Sequence, residues 1–188
     1  MDFLKITKSK TREGILRLYF ADPEKKYYLR QLERMLDLPV NNIRRELLSL
    51  EKTGLFKKEK MGNQVYYFLN KNAVLFEDYK NIVFKTIGVA GSLKKELEDI
   101  KGIKYAFIFG SFAKNEEDSA SDVDLMIVGR FDEDILIKKV MYLEDILKRE
   151  INYHYIDENE WQKRLKENSF YKSVDEGPKI ELIKTNNG

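Results

Sequence analysis

Two short motifs in this sequence combine residue types that could bind a phosphate group and a metal ion. Gly110 and Ser111 follow one apolar stretch, and Asp122 and Asp124 introduce another. Glycine lets the backbone approach a phosphate closely, and a serine hydroxyl can donate to phosphate oxygens, especially where a helix begins. Aspartates at alternate strand positions project from one face, and their charges are costly together unless a cation separates them. The pattern predicts a metal–polyphosphate site formed by Gly110, Ser111, Lys114, Asp122 and Asp124.

The composition restricts which cation could occupy such a site. The chain has no Cys and a single His, His154, which excludes disulfides, thiolate zinc sites, cysteine nucleophiles and multi-histidine metal centres. Oxygen ligands favour Mg²⁺ or Mn²⁺, and the ion would hold the triphosphate of an NTP, with ATP as the expected nucleotide. Two such ions could activate an acceptor hydroxyl and stabilise the leaving pyrophosphate.

Short apolar segments are expected to position these motifs. Residues 105–109 end at Gly110, and residues 123–128 are closed by Gly129, so both runs are predicted to be buried strands. After them, the periodicity predicts a helix, a strand, a second helix and a last strand at 133–149, 151–156, 158–167 and 179–183. The C-terminal part is therefore predicted to mix strands and helices, as in an α+β fold.

The N-terminal part has a different pattern, in which amphipathic helices precede a basic β-hairpin. Thr11 is expected to cap the first helix. The helices are predicted at 11–20, 29–36 and 41–52, and the hairpin strands at 55–60 and 65–69. In a helix-turn-helix the second helix of the pair enters the DNA major groove, where Asn and Arg can contact base edges, and nearby Lys can neutralise phosphates. The candidate DNA-binding residues are Asn42, Arg44, Arg45, Lys57, Lys58 and Lys60.

Charge is nearly balanced over the chain but uneven along it. There are 34 Lys and Arg residues against 32 Asp and Glu, for a net charge of +2. Residues 44–60 are rich in Arg and Lys, whereas residues 116–124 are acidic, which suggests two separate functions. The lack of Cys, and of a long apolar run behind the N-terminus, predicts a cytoplasmic protein without a signal peptide or membrane span.

The C-terminal motifs resemble those of the DNA polymerase beta-type nucleotidyltransferases, in their minimal branch. The resemblance covers about 102–155 and rests on Gly110-Ser111, a variable loop at 112–121, and the sequence Ser-Asp-Val-Asp-Leu at 121–125. It implies a small mixed sheet flanked by helices. It also implies Mg-dependent transfer of a nucleoside monophosphate from an NTP to a hydroxyl, with the two aspartates as catalytic metal ligands.

Two positions depart from that family pattern. Lys114-Asn115 stands where the family usually has Arg-Gly. The family also places a third carboxylate on the following strand, as the general base, and the most natural superposition puts Asn152 there. An amide cannot act as that base. Glu150 lies on the same predicted strand face and is the candidate third catalytic residue, with Asp157 as a weaker alternative.

The N-terminal pattern resembles the winged helix-turn-helix regulators of the ArsR/MarR type. The resemblance covers about 11–69 and rests on residues 28–32, 42–47, 50–55 and the aromatic strand at 66–69. It implies binding of double-stranded DNA, and homodimers are common among such regulators. Winged helices also serve as protein-docking modules, so the fold alone does not establish DNA binding.

A long, strongly apolar helix is expected to link the two parts. It is predicted over about 72–99, with apolar residues recurring from Val74 to Ile87 and with Gly88 and Gly91 as interruptions. Two roles stay open for it: packing between the two domains, or packing against a second subunit. The predicted domains are a winged helix at 1–70 with three helices and a hairpin wing, a helical linker at 71–101, and a nucleotidyltransferase domain at 102–188.

The two resemblances together predict a DNA-binding transcriptional regulator that carries a nucleotidyltransferase domain. Minimal nucleotidyltransferases often act as antitoxins of HEPN-domain ribonucleases, some by adenylylating the toxin, so a HEPN-type toxin is an expected partner. One alternative is a regulator that senses NTP or only binds DNA or protein, without catalysis, which Asn152 favours. Another is transfer to RNA or a small hydroxylated acceptor, for which the short chain leaves little room.

Overall fold

The computed structural model describes residues 9–118 and 120–185, and the chain divides into two compact units, Met1–Gly88 and Val89–Gly188. Each unit is built around its own apolar core. The predicted loop at 112–121 contains residue 119, and the predicted C-terminal domain ends at 188. Residues 119 and 186–188 lie outside the described part of the chain, as do residues 1–8 of the predicted N-terminal domain.

The N-terminal unit combines helices with a small antiparallel sheet. Its helices are α1 (Lys10–Ala21), α2 (Leu29–Leu36), α3 (Val40–Lys52) and α4 (Phe76–Thr86), and its strands are β1 (Tyr27–Tyr28), β2 (Phe56–Met61) and β3 (Gln64–Leu69). The strand order is β1-β3-β2. The predicted hairpin is present, because β2 and β3 pair from Phe56 opposite Leu69 to Met61 opposite Gln64.

Polar contacts fix α3 against α1. Ser9 rather than Thr11 caps α1, because the Ser9 Oγ accepts from the Arg12 backbone N–H and Thr11 is buried instead. The Arg12 guanidinium donates to Glu46 Oε2 at 2.8 Å and to Ser49 Oγ at 3.1 Å. Since Glu46 is only 8% exposed, this ion pair is better shielded from water than an ordinary surface pair. The ion pair therefore helps to determine which face of α3 is exposed to solvent.

The predicted linking stretch is two helices separated at Gly88, one of its two predicted interruptions, whereas Gly91 lies within the second helix. α4 ends at Thr86, and α5 (Val89–Glu98) begins after Gly88. The Gly88 backbone N–H donates to the Val83 carbonyl at 2.6 Å, and a Cβ at Gly88 would lie 2.9 Å from Phe84 Cα. The chain can make this tight turn because glycine has no side chain. No helix in the described residues is long and apolar enough to cross a membrane.

The C-terminal unit has a four-stranded mixed sheet with helices on it. After α5 come β4 (Ile103–Phe109), α6 (Gly110–Lys114), β5 (Val123–Gly129), α7 (Glu133–Leu147), β6 (Ile151–Ile156), α8 (Glu158–Glu167), α9 (Ser169–Glu176) and β7 (Ile180–Lys184). The strand order is β6-β5-β4-β7, in which β5 and β6 are parallel and the other pairs antiparallel. Helix α9 is absent from the sequence prediction, which has only α8 before the last strand.

One face of this sheet contains both a core and the candidate site. Phe107, Met126 and Val128 are buried on it and pack with Trp161 of α8 and Val174 of α9. Because side chains alternate along a strand, the same face receives Asp124 from β5 and Asn152 from β6. The buried apolar residues of this sheet face therefore position Asp124 and Asn152 at its polar end.

Candidate metal and nucleotide site and a basic helix surface

The carboxylate of Asp124 lies directly against the backbone of Gly110. Asp124 pairs with Phe109 across β4 and β5, so the turn after Phe109 passes over the aspartate. Gly110 has a φ of +70°, and a Cβ built there would overlap Asp124 Oδ2 and lie 3.1 Å from its Cγ. Glycine is favoured at residue 110 for two reasons: its left-handed backbone, and the shift that an added Cβ would force on the Asp124 carboxylate.

Asp122 and Asp124 are close enough for their charges to interact. Burial raises the pKa of Asp124 above its ordinary value, and the negative charge of Asp122 raises it further, whereas His154 lowers it. The structure thus brings together the two aspartates that the sequence predicts as a pair. A bound cation would neutralise the excess negative charge of this aspartate pair.

Asn152 occupies the position beside this pair that the family resemblance assigns to a carboxylate. It is opposite Asp124 in the parallel β5–β6 register, and its Nδ2 donates to Asp122 Oδ2 at 3.3 Å. Among the described residues, no three acidic or histidine side chains come together as a possible metal-binding group. Glu150, the predicted substitute base, lies just before β6 and does not join the two aspartates in such a group. Asp157, the weaker alternative, is engaged by Arg130.

These residues fit a single hard cation bound together with a polyphosphate. Mg²⁺ in proteins is usually held by one or two carboxylates, with substrate phosphates and waters as its other ligands. Asp122 and Asp124 supply that number of carboxylates. A second metal site of the type that needs a third carboxylate does not fit, because Asn152 offers Asp122 a hydrogen-bond donor.

The predicted phosphate-binding residues lie on the short helix α6. This helix begins at Gly110 directly after β4, and it places Ser111 and Lys114 one turn apart. Ser111 is half-buried and Lys114 is exposed. Their assignment to nucleotide binding stays a prediction, although both lie on the element that starts at the aspartate pair.

Arg149 holds the loop that leads from α6 to the aspartates, a role that the sequence does not reveal. Its Nη1 donates to the carbonyls of Asp118 and Ser121, each at 2.8 Å, and its guanidinium lies 5.3 Å from the centre of the Phe112 ring. Within the loop, the Ala120 backbone N–H and the Ser121 hydroxyl donate to Asp118 Oδ1, which keeps the pKa of Asp118 below its ordinary value. The backbone before Asp122 is consequently fixed.

In the N-terminal unit, the outer face of α3 forms a cationic groove. The groove has a volume of about 450 Å³ and is lined by Asn41, Arg44, Arg45, Leu48, Ser49 and Lys52. The predicted DNA-binding residues Arg44 and Arg45 are both exposed in it. Asn42 is half-buried and does not line the groove, whereas its neighbour Asn41 and the cation Lys52 do. Adjacent helix positions point about 100° apart, so the two asparagines lie on different sides of α3. The contribution of Asn42 to DNA binding stays a prediction.

The three predicted lysines of the hairpin do not act as one surface. Along β2 the side chains alternate, so Lys58 and Lys60 share one face and Lys57 lies on the other. Lys58 also pairs with Glu51 of α3 at 3.0 Å. All three remain exposed, so their contribution to DNA binding stays a prediction.

Comparison with known families identifies the C-terminal unit. Residues 91–175 match the family model for the nucleotidyltransferase domain, and this range extends from α5 to α9. The chain therefore contains a nucleotidyltransferase domain, and Gly110, Asp122, Asp124 and Asn152 all lie within it. Among curated proteins, none matches this sequence.

Three solved structures are similar to parts of the chain. A toxin–antitoxin with AMP-PNP is 18% identical and covers 52% of this chain and 74% of its own, with a TM-score of 0.38. A proposed nucleotidyltransferase from Sulfolobus solfataricus is 20% identical, covers 53% and 79%, and has a TM-score of 0.30. The archaeal chromatin protein TrmBL2, whose structure concerns DNA binding, is 18% identical, covers 90% and 79%, and has a TM-score of 0.26. At these TM-scores the likenesses do not bear on function.

The substitution Gly110→Ala tests the contact between the turn and the carboxylate. Gly54→Ala is a matched control, because Gly54 also has a positive φ, +80°, but no atom within 4 Å of the added Cβ. We expect the control to lose about 1 kcal/mol of unfolding free energy in urea, and Gly110→Ala to lose about 2–4 kcal/mol. Gly110→Ala should also abolish Mn²⁺ binding measured by electron paramagnetic resonance. Equal losses with intact Mn²⁺ binding would contradict the contact.

A second prediction concerns the charge of Asp124 in the metal-free protein. Because folding raises the pKa of this carboxylate, its ionised form destabilises the fold, and the penalty vanishes as pH falls below the unfolded-state value of about 3.9. Asp124→Asn should therefore raise the thermal midpoint at pH 7 in EDTA, and this gain should shrink toward pH 4. Asp145→Asn, at a well-exposed position, should change neither value. A lower midpoint for Asp124→Asn at pH 7 would refute the expectation.

Proposed function

We propose that this protein is a DNA-binding regulator whose nucleotidyltransferase domain binds an NTP together with one divalent cation. The observation that carries the proposal is the Asp122–Asp124 pair, whose Asp124 carboxylate lies against the Gly110 backbone at the start of α6. The two carboxylates are suited to Mg²⁺, and α6 supplies Ser111 and Lys114 for the phosphates. The cation would neutralise the charge pair and orient the triphosphate.

The residue at the position of the family's third carboxylate, Asn152, favours NTP binding without nucleotidyl transfer. Asn152 cannot accept the proton of an attacking hydroxyl, and its amide is already directed at Asp122. A bound NTP would then act as a signal for the N-terminal unit rather than as a consumed substrate.

A second candidate function is transfer of a nucleoside monophosphate to a hydroxyl on a partner protein. The match of residues 91–175 to the nucleotidyltransferase family favours it. Glu150 would have to supply the general base, and the partner expected from the family resemblance is a HEPN-type toxin. Both candidate functions require Asp122 and Asp124 to bind the cation that holds the NTP. They differ in whether the NTP is then consumed.

Titration calorimetry with Mg-ATP tests the shared step. The parent protein should bind Mg-ATP, and Asp122→Asn/Asp124→Asn should show no binding heat, because the cation loses both carboxylate ligands. Glu98→Gln/Asp145→Asn removes two acids that lie exposed on α5 and α7 and should bind as the parent does. A parent that gives no heat with Mg-ATP would overturn the proposal.

Label transfer from α-³²P-ATP separates the candidates on the same preparations. Binding without transfer to itself or to co-expressed partners supports the regulator, and Asn152→Asp should then gain transfer if only the base is missing. Transfer by the parent that is lost in Glu150→Gln would establish the second candidate instead.

The DNA-binding part of the proposal is supported by the arrangement of the N-terminal unit. Helices α2 and α3 are joined by a short turn and followed by the β2–β3 hairpin, which is the order of a winged helix. The exposed face of α3 gathers Arg44, Arg45 and Lys52 around one groove. A concentration of cations on the helix that would enter the major groove suits a polyanionic partner.

Duplex binding measured by fluorescence anisotropy at several salt concentrations tests this assignment. Arg44→Ala/Arg45→Ala should weaken binding and reduce the slope of log K against log salt by about 2, as expected for the loss of two phosphate contacts. Lys94→Ala/Lys95→Ala removes the same charge from exposed positions of α5 and should leave the slope unchanged. Equal effects of the two variants would show that only net charge matters and would contradict a role for α3.

A further inference from the structure

Three aromatic rings meet at the open end of the sheet face that contains Asp124. Phe109 comes from the end of β4, His154 from β6 and Phe170 from the start of α9. The ring centres are 6.2 Å apart for Phe109 and His154, 6.2 Å for Phe109 and Phe170, and 5.7 Å for His154 and Phe170. We call these three residues the ring cluster.

The ring cluster borders the aspartate pair. Phe109 is opposite Asp124 in the β4–β5 register, and His154 is close enough to Asp124 to affect its pKa. Both residues lie on the same side of the sheet as Asp124, because all three follow the alternation that places Phe107 and Met126 in the core beneath. A molecule whose phosphates are held by a cation at Asp124 would therefore extend its other end over or beside these rings.

Two rings of the cluster remain open to solvent. Phe170 keeps 42% of its surface exposed and His154 is exposed as well, whereas Phe109 is half-buried and packs against the core. The Phe170 ring is steeply inclined to the rings of Phe109, His154 and Tyr171, at 76°, 62° and 85°, and part of it faces solvent. This exposed part of the ring offers an apolar, flat contact next to a site otherwise made of charged and polar groups.

Phe170 is also held rigidly in position. Its backbone N–H donates to the Asn168 side chain at 2.9 Å, which caps α9 at this residue. Its ring contacts Tyr171 edge-to-face at 5.4 Å, and Tyr171 in turn contacts the buried Trp161 at 5.7 Å. A ring fixed before binding loses little conformational entropy when a ligand stacks on it.

We propose that the ring cluster is the surface on which the nucleobase of the bound NTP stacks, with Phe170 as the main contact and a purine as the preferred base. This inference rests on the proposed function, since the triphosphate must be held at Asp122 and Asp124 first. Stacking on aromatic side chains is tolerant of base identity but strengthens with the size of the π-system, which favours purines.

Calorimetry with two ligands tests the proposal on the full-length protein. Mg-ATP should bind more tightly than Mg-tripolyphosphate, which has three phosphates but neither the ribose nor the base. Phe170→Ala should weaken Mg-ATP about tenfold or more, within the range of one lost stacking contact, and leave Mg-tripolyphosphate unchanged. Phe170→Trp should keep the parent affinity for Mg-ATP. Tyr142→Ala, which removes an exposed aromatic from α7, serves as the control and should affect neither ligand.

A spectroscopic readout separates stacking from a structural role of Phe170. The adenine H2 and H8 resonances of ATP should shift upfield with the parent protein, because a ring current acts on protons above an aromatic face, and this shift should be lost with Phe170→Leu. Phe170→Leu keeps an apolar side chain, so it guards against simple unfolding of α9. Equal affinity for the two ligands, or an unchanged shift in Phe170→Leu, would overturn the stacking surface while the proposed function stands. Failure of both ligands to bind would overturn both.

Discussion

The candidate site depends on one steric constraint: the carboxylate of Asp124 occupies the space that a side chain at residue 110 would need. This contact ties the end of β4, the start of α6 and the middle of the sheet together at one point. It also places a charge where burial and the neighbouring Asp122 both oppose ionisation, as the raised pKa of Asp124 shows. The apo fold therefore tolerates a local conflict that a divalent cation would relieve, which is the usual physical sign of a binding site rather than of a structural ion pair.

Asn152 sets the charge of this site. A third carboxylate there would add a negative charge beside Asp122 and would demand a second cation. The amide instead donates a hydrogen bond to Asp122 Oδ2 and adds no charge. One divalent cation then suffices to balance the two aspartates. The same substitution removes the natural proton acceptor for a hydroxyl nucleophile, so the feature that simplifies metal binding also works against transfer chemistry. The inability of the Asn152 side chain to accept a proton therefore favours the proposed sensing role over the proposed transferase role.

Local sequence patterns predict some elements of the structure correctly and miss others. Strand β6 and helix α8 have the predicted bounds, because strand alternation and helix capping act over a few residues, and the aspartate pair follows from spacing alone. Helix α9 follows α8 with only Asn168 between them, as the C-cap of one and the N-cap of the other, so no turn signal separates the two helices. The break at Gly88 is predicted from the glycine, and its physical cause is how closely the Gly88 backbone passes Phe84. The hydrogen bonds from Arg149 to the loop before Asp122 and the contact of Phe170 with His154 join residues far apart in sequence. Periodicity carries no information about such contacts. The rotation of α3, to which the Arg12–Glu46 ion pair contributes, places Asn41 rather than Asn42 in the groove, and residue spacing alone does not reveal this.

The two units have opposite electrostatic requirements, and this limits what each can bind. The α3 groove gathers cations, so a polyanion can approach it without a mediating ion. The Asp122–Asp124 pair repels phosphate groups unless a cation is present, because both carboxylates face the same space. In the proposed function, the aspartate pair therefore favours a metal-complexed nucleotide over free NTP or DNA. The proposed ring cluster adds a base-dependent contact beside that site, which inorganic triphosphate cannot use. Under this proposal, charge distinguishes the DNA ligand from the nucleotide ligand, and the aromatic surface distinguishes the nucleotide from bare polyphosphate.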